Sequence, residues 1–463
     1  MAGVHQPHPP LATDAAGGFR RPPPYVKTRQ AARPSVVGGA AGGSATGGRQ
    51  PIEGKSASVM KRRPPKILVY SHDSFGLGHL RRCRAIAHAL VGCHPDLSVL
   101  ILSGSPIIGS FDFRPRVDFV RVPGVIKLRN GDYSPHTLSI DIDDMLAIRA
   151  SIIEHTAEVF EPDLFIVDKE PLGLRGEVRG TLERLSRRGT RLVLGLRDVM
   201  DDPQSLADEW DRKGAVEALE RWYDEIWVYG REEIYNPLAG IAVGERVLEK
   251  VRYTGYLRRE LPAIDAEGTD HPFGEEPFIL VTPGGGGDGI ELVDWVLRAY
   301  ESRERPLFPS VIVLGPFMAI DRQSEFARRA ETLRDVHVIR FTPTIEFLME
   351  RATAIVGMGG YNTFCEILSF DKPTLLVPRV VPRREQAIRA SRAEAVGLTS
   401  TLAIDHYPDV DLMLDALSGL PNRPPPSAAR LDGLLDGLQI VNQRVSMHLK
   451  AVRPFLVTVN ARF

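Results

Sequence analysis

Short apolar runs alternating with helical patterns constrain this chain most, because the alternation occurs twice. The first series has β-branched and apolar runs of strand length at 66–70, 97–102, 117–122, 164–167, 192–196 and 226–229. Helical spacing falls between them: Leu80, Cys83, Ile86, Ala87 and Leu90 share one face, and 145–160 and 174–186 read the same way. The second series has runs at 278–281, 311–314, 336–341, 354–356 and 374–377. Unbroken apolar strands separated by helices make parallel sheets covered on both faces. The expected fold class is therefore α/β, with two Rossmann-like domains. Residues 258–276, containing Pro262, Gly268, Pro272 and Gly274, read as the linker between them.

This sets the expected organisation as 66–258, 259–430 and a C-terminal part 431–463, which opens within an amphipathic helix expected over 429–450 and packing back on the first domain. The chain of 463 residues is long enough for two full cores. Residues 1–65 differ, with runs such as Arg21-Pro22-Pro23-Pro24 and Gly38-Gly39-Ala40-Ala41-Gly42-Gly43. Nothing there recurs at a helical or strand period, so a disordered tail is expected. It carries ten Lys or Arg against Asp14 and Glu53, a charge of +8; since the whole chain is −1, the remainder is −9. A basic tail thus sits on an acidic body, which argues against a nucleic-acid-binding enzyme. No apolar run approaches the roughly 20 residues that cross a bilayer, and no h-region marks a secretory signal. The three cysteines, Cys83, Cys93 and Cys365, lack metal-ligand spacing and suit a reducing cytoplasm.

Two turns carry the chemistry. In the second series, Gly357 to Gly360 ends a buried strand and Tyr361 to Ser369 reads as a helix. Unpaired amides at a helix N-terminus, with its dipole, make an anion site. Gly359, Gly360, Asn362 and Thr363 would face a diphosphate there. Glu366, about one and a half turns in, stands where a carboxylate can take a ribose diol. In the first series, Gly76-Leu77-Gly78-His79 follows the first strand. Open α/β sheets bind ligands at that edge. A histidine at a helix N-terminus is kept neutral by the dipole and can serve as a base. Asp168, Glu170 and Asp198 follow buried strands at the same edge; each reads either as a second acid/base or acceptor ligand, or as a cap or partner of Arg197 or Arg175.

Neither glycine turn supports hydride transfer. The dinucleotide fingerprint needs a third glycine where this chain has Arg81, and an acid after the second strand where it has Ser103-Gly104. The turn from Thr282 to Gly289 fits the fingerprint only formally, as any run of glycines would, and no Gly-Lys-Ser/Thr follows it, so a plain phosphate-facing loop is the better reading.

These residues resemble the family 28 glycosyltransferases, the group that includes the enzyme transferring N-acetylglucosamine to lipid I. The matching positions are Gly76, Gly78 and His79; Gly284 to Gly287; Gly359, Gly360 and Glu366; and Pro378, Glu385 and Gln386. The resemblance covers roughly 66–430 and is strongest over 336–397. It implies a GT-B architecture, two Rossmann-like domains facing a cleft, the first for the acceptor and the second for a nucleotide sugar. It also implies that Glu366 holds the ribose, that Gly285, Gly286, Gly287 and Gly360 lie near the diphosphate, and that the Phe341-Thr342-Pro343 loop faces the base. Glu385 departs from the family's second glutamine. Gly76-x-Gly78-His79-x-x-Arg82-Cys83 is also similar to the turn of the nucleotide-sugar hydrolases of pseudaminic acid synthesis.

The expected activity is transfer of a hexose-type sugar from a nucleotide diphosphate sugar, UDP-linked by resemblance, to a sugar, lipid or small-molecule acceptor. His79 and Asp198 are the expected catalytic residues. Gly76, Gly78, Arg82 and Glu170 are expected on the acceptor side, and Gly285–Gly287, Thr342, Gly359, Gly360, Asn362, Thr363, Glu366, Glu385 and Gln386 around the donor. Inversion without a metal is expected, since Asp141-x-Asp143 sits in a loop or helix start; no cofactor beyond the donor substrate is expected. A cytoplasmic location follows, with a peripheral contact at the inner membrane face through the apolar loop 106–111. A hydrolase, a 2-epimerase and a non-catalytic nucleotide-sugar sensor of the same fold stay open.

Overall fold

In the computed structural model, residues 63–72, 78–127, 133–262, 269–285, 287–302 and 304–451 are described. The expectations for the 1–62 tail, for Gly76 and for Gly286 fall outside them.

The first sheet takes seven strands in the order β3-β2-β1-β6-β7-β8-β9. They are β1 (Lys66–Ser71), β2 (Ser98–Ser103), β3 (Val117–Arg121), β6 (Leu164–Asp168), β7 (Arg191–Arg197), β8 (Glu225–Tyr229) and β9 (Val251–Tyr253). A hairpin of β4 (Val125–Lys127) and β5 (Tyr133–Pro135) stands apart. Every pairing within the seven-stranded sheet is parallel. Residues of β6 and β8 are buried throughout, because helices cover both faces.

The second sheet is β12-β11-β10-β13-β14-β15. Its strands are β10 (Ile279–Thr282), β11 (Ser310–Val313), β12 (Val336–Ile339), β13 (Ala354–Gly357), β14 (Thr374–Leu376) and β15 (Ser400–Thr401). These are parallel too. In both sheets the strand order reverses next to the first strand, β1 or β10. That switch point places His79 on one side and the Gly284 and Gly359 turns on the other.

One apolar cluster runs through both halves. It links Ile67, Leu90 and Trp227 to Tyr256 and Leu257, and on to Tyr361, Phe364 and Leu376. Val441 and Val445 of the last helix, Gly437–Ala451, belong to it, and Arg444 Nε donates to Glu225 Oε2 at 3.0 Å, at the start of β8. That helix is shorter than the expected 429–450. Arg430 (φ 52°) and Gly433 (φ 70°) are left-handed, so the chain turns before Gly437.

The 106–111 loop exposes Pro106, Gly109 and Ser110 but turns its central isoleucine inward. Ile108 is 1% exposed and Phe111 is half-buried beneath the Arg84 guanidinium, 5.3 Å from its ring. The expected membrane-facing lip has its central side chain in the core. No helix among the described residues is long and apolar enough to cross a membrane.

Candidate active site

His79 opens the helix Gly78–Cys93 at the carboxyl edge of β1. Its Nδ1 lies 2.5 Å from Asp168 Oδ2, at the end of the neighbouring β6. Arg82, one turn on, donates to the same carboxylate through Nε (2.8 Å) and Nη2 (2.7 Å). Burial would raise the Asp168 carboxyl, but Arg82 and His79 hold it well below the usual range. An ionised carboxylate only accepts, so His79 carries its proton on Nδ1 and Nε2 is the basic nitrogen. The 3.0 Å approach of Arg82 Nη2 to Nδ1 is then a contact between two donors sharing one carboxylate. Burial pushes the imidazole down to about 4, and Asp168 opposes that only in part. His79 is thus neutral at pH 7, chiefly through desolvation.

The neighbouring strand ends are more heavily paired. Glu170 is buried and accepts from Lys213 Nζ at 2.8 Å, with Lys169 Nζ at 3.4 Å. Burial would raise its pKa, yet Lys169, His72 and Lys213 hold it far below the usual carboxylate range. Asp198 is fully buried and takes Arg389 in two bonds, Nη2 to Oδ1 at 2.6 Å and Nε to Oδ2 at 2.8 Å. Tyr256 donates to its Oδ2 as well, at 2.9 Å. The catalytic expectation for Asp198 gives way here. Its oxygens are committed to an arginine of the other domain, and none is offered to a substrate.

Across the cleft, Gly359 closes the β13 turn with φ 76°, a region that disfavours side chains. Gly360 caps the helix Tyr361–Phe370 without any side-chain hydrogen bond, leaving its N-terminal amides unclaimed by a capping group. The Gly284 turn stands directly over this end, since a Cβ added there would lie 3.5 Å from Thr363 Oγ1. Gly285 and Gly287 are exposed. Thr342 is buried and accepts from the Thr344 amide at 3.1 Å. Gln386 Oε1 takes the Arg379 amide at 3.2 Å, and Glu385 Oε1 takes Arg379 Nη2 at 2.8 Å.

Two expected donor residues are turned toward the first domain instead. Asn362 Nδ2 donates to the Gly78 carbonyl at 3.0 Å, which ties the helix Tyr361–Phe370 to the start of the helix bearing His79. Glu366 is 1% exposed, and its Oε1 lies 2.6 Å from Arg81 Nη2, which also reaches Glu346 Oε1 at 2.7 Å. Burial raises the Glu366 carboxyl, with Arg81 pulling it down.

Sequence reading missed the partners Arg81, Arg389 and Lys169. Asp198 and Arg389 are 191 positions apart, and no spacing rule connects such pairs. Lys169 was readable in part, as it directly follows Asp168 at a strand end; burial lowers it to about 8. Asp141, at the start of the helix Ile142–Phe160, caps it by accepting from the Asp143 amide at 2.8 Å.

Residues 308–401 match the glycosyltransferase family 28 C-terminal domain. No curated protein matches the chain in sequence. Among solved structures it is similar to glycosyltransferase VinC in complex with dTDP: TM-score 0.55, 15% identity, 83% of this chain and 98% of that one. It is similar to CalG4, the calicheamicin glycosyltransferase, at TM-score 0.54 and 16% identity, covering 85% and 100%. A putative UDP-N-acetylglucosamine 2-epimerase from Listeria monocytogenes gives TM-score 0.51 at 13% identity, covering 84% and 96%. At such identities the likeness shows the fold. The chain has the GT-B fold, its second domain resembles that of the family 28 glycosyltransferases, and sugar transfer is the general activity these findings support.

Proposed function

We propose that this chain is a glycosyltransferase that uses a nucleotide diphosphate sugar, UDP-linked in the first instance, and inverts the anomeric carbon without a metal. The observation that carries the reading is the Asn362–Gly78 hydrogen bond of 3.0 Å. It sets a helix N-terminus suited to a diphosphate against the turn that bears a neutral histidine. The first domain takes the acceptor and the second the donor.

His79 Nε2 removes the acceptor hydroxyl proton while Asp168, on Nδ1, stabilises the imidazolium that forms. The acceptor oxygen bonds to the anomeric carbon as the bond from that carbon to the phosphate oxygen breaks. The diphosphate leaves with the electron pair, its charge met by the amides at Gly360–Asn362 and the Gly284–Gly287 turn. Glu366 takes the ribose diol once Arg81 has withdrawn, Gln386 faces the donor sugar, and Glu385 stands where donor and acceptor meet. Asp198 holds the domains together and has no part in the chemistry.

A nucleotide-sugar hydrolase is the second reading, because Arg82 fixes the Asp168–His79 pair and belongs to the turn shared with such enzymes. The same base would then act on water. Nucleoside diphosphate release from UDP-, GDP- and dTDP-sugars, with and without sugar and lipid acceptors, decides between them. Release that needs an acceptor supports transfer, equal release in its absence supports hydrolysis, and no release from any donor rejects both.

A further inference from the structure

Arg197 ends β7, next to the β6 end that carries Asp168 and Lys169. Around it the other cations are already matched. Arg82 pairs with Asp168, Arg389 with Asp198, Arg379 with Glu385, Lys169 with Glu170, and Arg383 with Asp201 and Glu209. Among the described residues no carboxylate lies within ion-pair distance of Arg197, and its Nε is buried with no hydrogen-bond partner. The facing carboxylate is Glu385 of the second domain. Its Oε2 is likewise buried and unpartnered, although its charge is the strongest attraction Arg197 feels.

Arg197 is only part-buried, but a buried guanidinium Nε–H without an acceptor is costly, and so is a buried carboxylate oxygen without a donor. A single bound group reaching both atoms satisfies the two at once. Such a group must accept from Arg197 and donate to Glu385, which describes an oxyanion with a neighbouring hydroxyl. Lys169, on the adjacent strand end, is held by Glu170 at 3.4 Å and lines the same edge. Burial lowers Arg197 to about 10, so the guanidinium still carries its charge at neutral pH.

We propose that Arg197, with Lys169 and Glu385, binds a phosphate or carboxylate borne by a hydroxylated acceptor. The acceptor of the proposed transfer is on this account an acidic sugar, either phosphorylated or a uronate. The inference rests on the reading of the first domain as the acceptor side, but its test needs no turnover.

The test is thermal unfolding and calorimetry of the full chain with inorganic phosphate, glucose 6-phosphate and glucuronate, against chloride of equal ionic strength. Wild type should show a saturable rise in Tm with one of the three anions. Glucose 6-phosphate acting alone, or with phosphate, identifies the phosphorylated class, and glucuronate the carboxylate class. Arg197→Met should bind the effective anion at least tenfold more weakly and, unliganded, should melt no lower than wild type, because it removes a cation without an ion-pair partner and its buried, unpartnered Nε–H. Arg197→Lys should bind with intermediate affinity. An unliganded Arg197→Met that melts lower or fails to fold would mean Arg197 is held by Glu385 as a structural pair, overturning the proposal. Equal anion binding by wild type and Arg197→Met overturns it too, as binding would then lie at the Gly360 helix end. The absence of any saturable response does the same. If the anion binds through Arg197 but no nucleotide sugar is turned over, the anion site stands and the transferase reading falls.

Discussion

Arg81 of the first domain and Glu366 of the second form an ion pair of 2.6 Å, closed over a carboxylate that is 1% exposed. The same guanidinium neutralises Glu346 at 2.7 Å. Free of nucleotide, the chain therefore satisfies the Glu366 carboxylate, the proposed ribose ligand, with its own arginine. On this view a ribose diol competes with Arg81.

Arg81→Gln should make two changes of opposite sign. Stability should fall, since the buried Glu366 and the part-buried Glu346 lose their counter-charge; Arg81 is a quarter exposed, so we expect about 1–2 kcal/mol, less than for a fully buried pair. UDP affinity should rise about tenfold, equivalent to about 1.4 kcal/mol of competition removed. Glu366 is raised by burial, so the penalty in the variant is largest above its folded pKa and fades as the pH falls through it and the carboxyl is protonated. Melting curves between pH 5 and 8, with calorimetry, check both. A variant that binds UDP less tightly than wild type would make Arg81 a ligand of the nucleotide.

Glu366→Ala should weaken nucleotide binding through the sugar hydroxyls. Hydrogen bonds to a charged acceptor are worth roughly 1.5–3 kcal/mol each, so losing two costs about two orders of magnitude in Kd. Displacing Arg81 takes back part of that, and about tenfold is the expected net loss. A 2′,3′-dideoxynucleoside diphosphate should bind wild type and variant alike. Equal weakening for both ligands would mean that Glu366 only pairs with Arg81.

His79→Ala should lower kcat by about 10²–10⁴-fold while leaving donor Kd within a factor of about three. The pH profile is more particular. Burial holds the imidazole at about 4, so the base form persists down to that pH. Activity should be flat from pH 7 to about 5.5 and fall as the pH drops through 4. Asp168→Asn removes the carboxylate that orients Nδ1, and should lower kcat about as far as His79→Ala. An acid limb near 6.5 in wild type would show that His79 is not desolvated in the working enzyme.

The fold was legible because its signals are local. Each strand of the two parallel sheets except β9 and β15 coincides with an apolar run, and those short edge strands, like β4 and β5 of the separate hairpin, carry too few residues to make one. His79 and Asp168 were legible as separate strand-end residues, since sheet edges concentrate ligand groups. Their pairing needs β1 to lie beside β6, which is a topological fact. Asp198 went astray for the same reason. A carboxylate at a strand end looks alike whether it faces a substrate or an arginine 191 positions away. Arg81 read as the residue that breaks a dinucleotide fingerprint, and only the closed domain interface gives it Glu366.

Asp198 and Arg389 offer the sharpest separation of structural from catalytic roles. Both side chains are fully buried, and the pair joins β7 of one domain to the helix Glu385–Ala395 of the other. Arg389 also donates through Nη1 to the Gly359 carbonyl at 2.8 Å, so it steadies the turn proposed to face the donor. Asp198→Ala should destabilise the chain by about 3–5 kcal/mol, because an uncompensated guanidinium stays behind in the interface. The double variant Asp198→Ala with Arg389→Met removes that charge and should recover at least half of the loss. In the double variant the donor turn loses its Gly359 contact, so donor KM should rise while kcat stays within about threefold, the pattern of lost binding without lost chemistry. Denaturant unfolding measures the first two values, and steady-state kinetics at saturating donor the third. A double variant that folds well but loses kcat by 10²-fold or more would return Asp198 to the catalytic machinery.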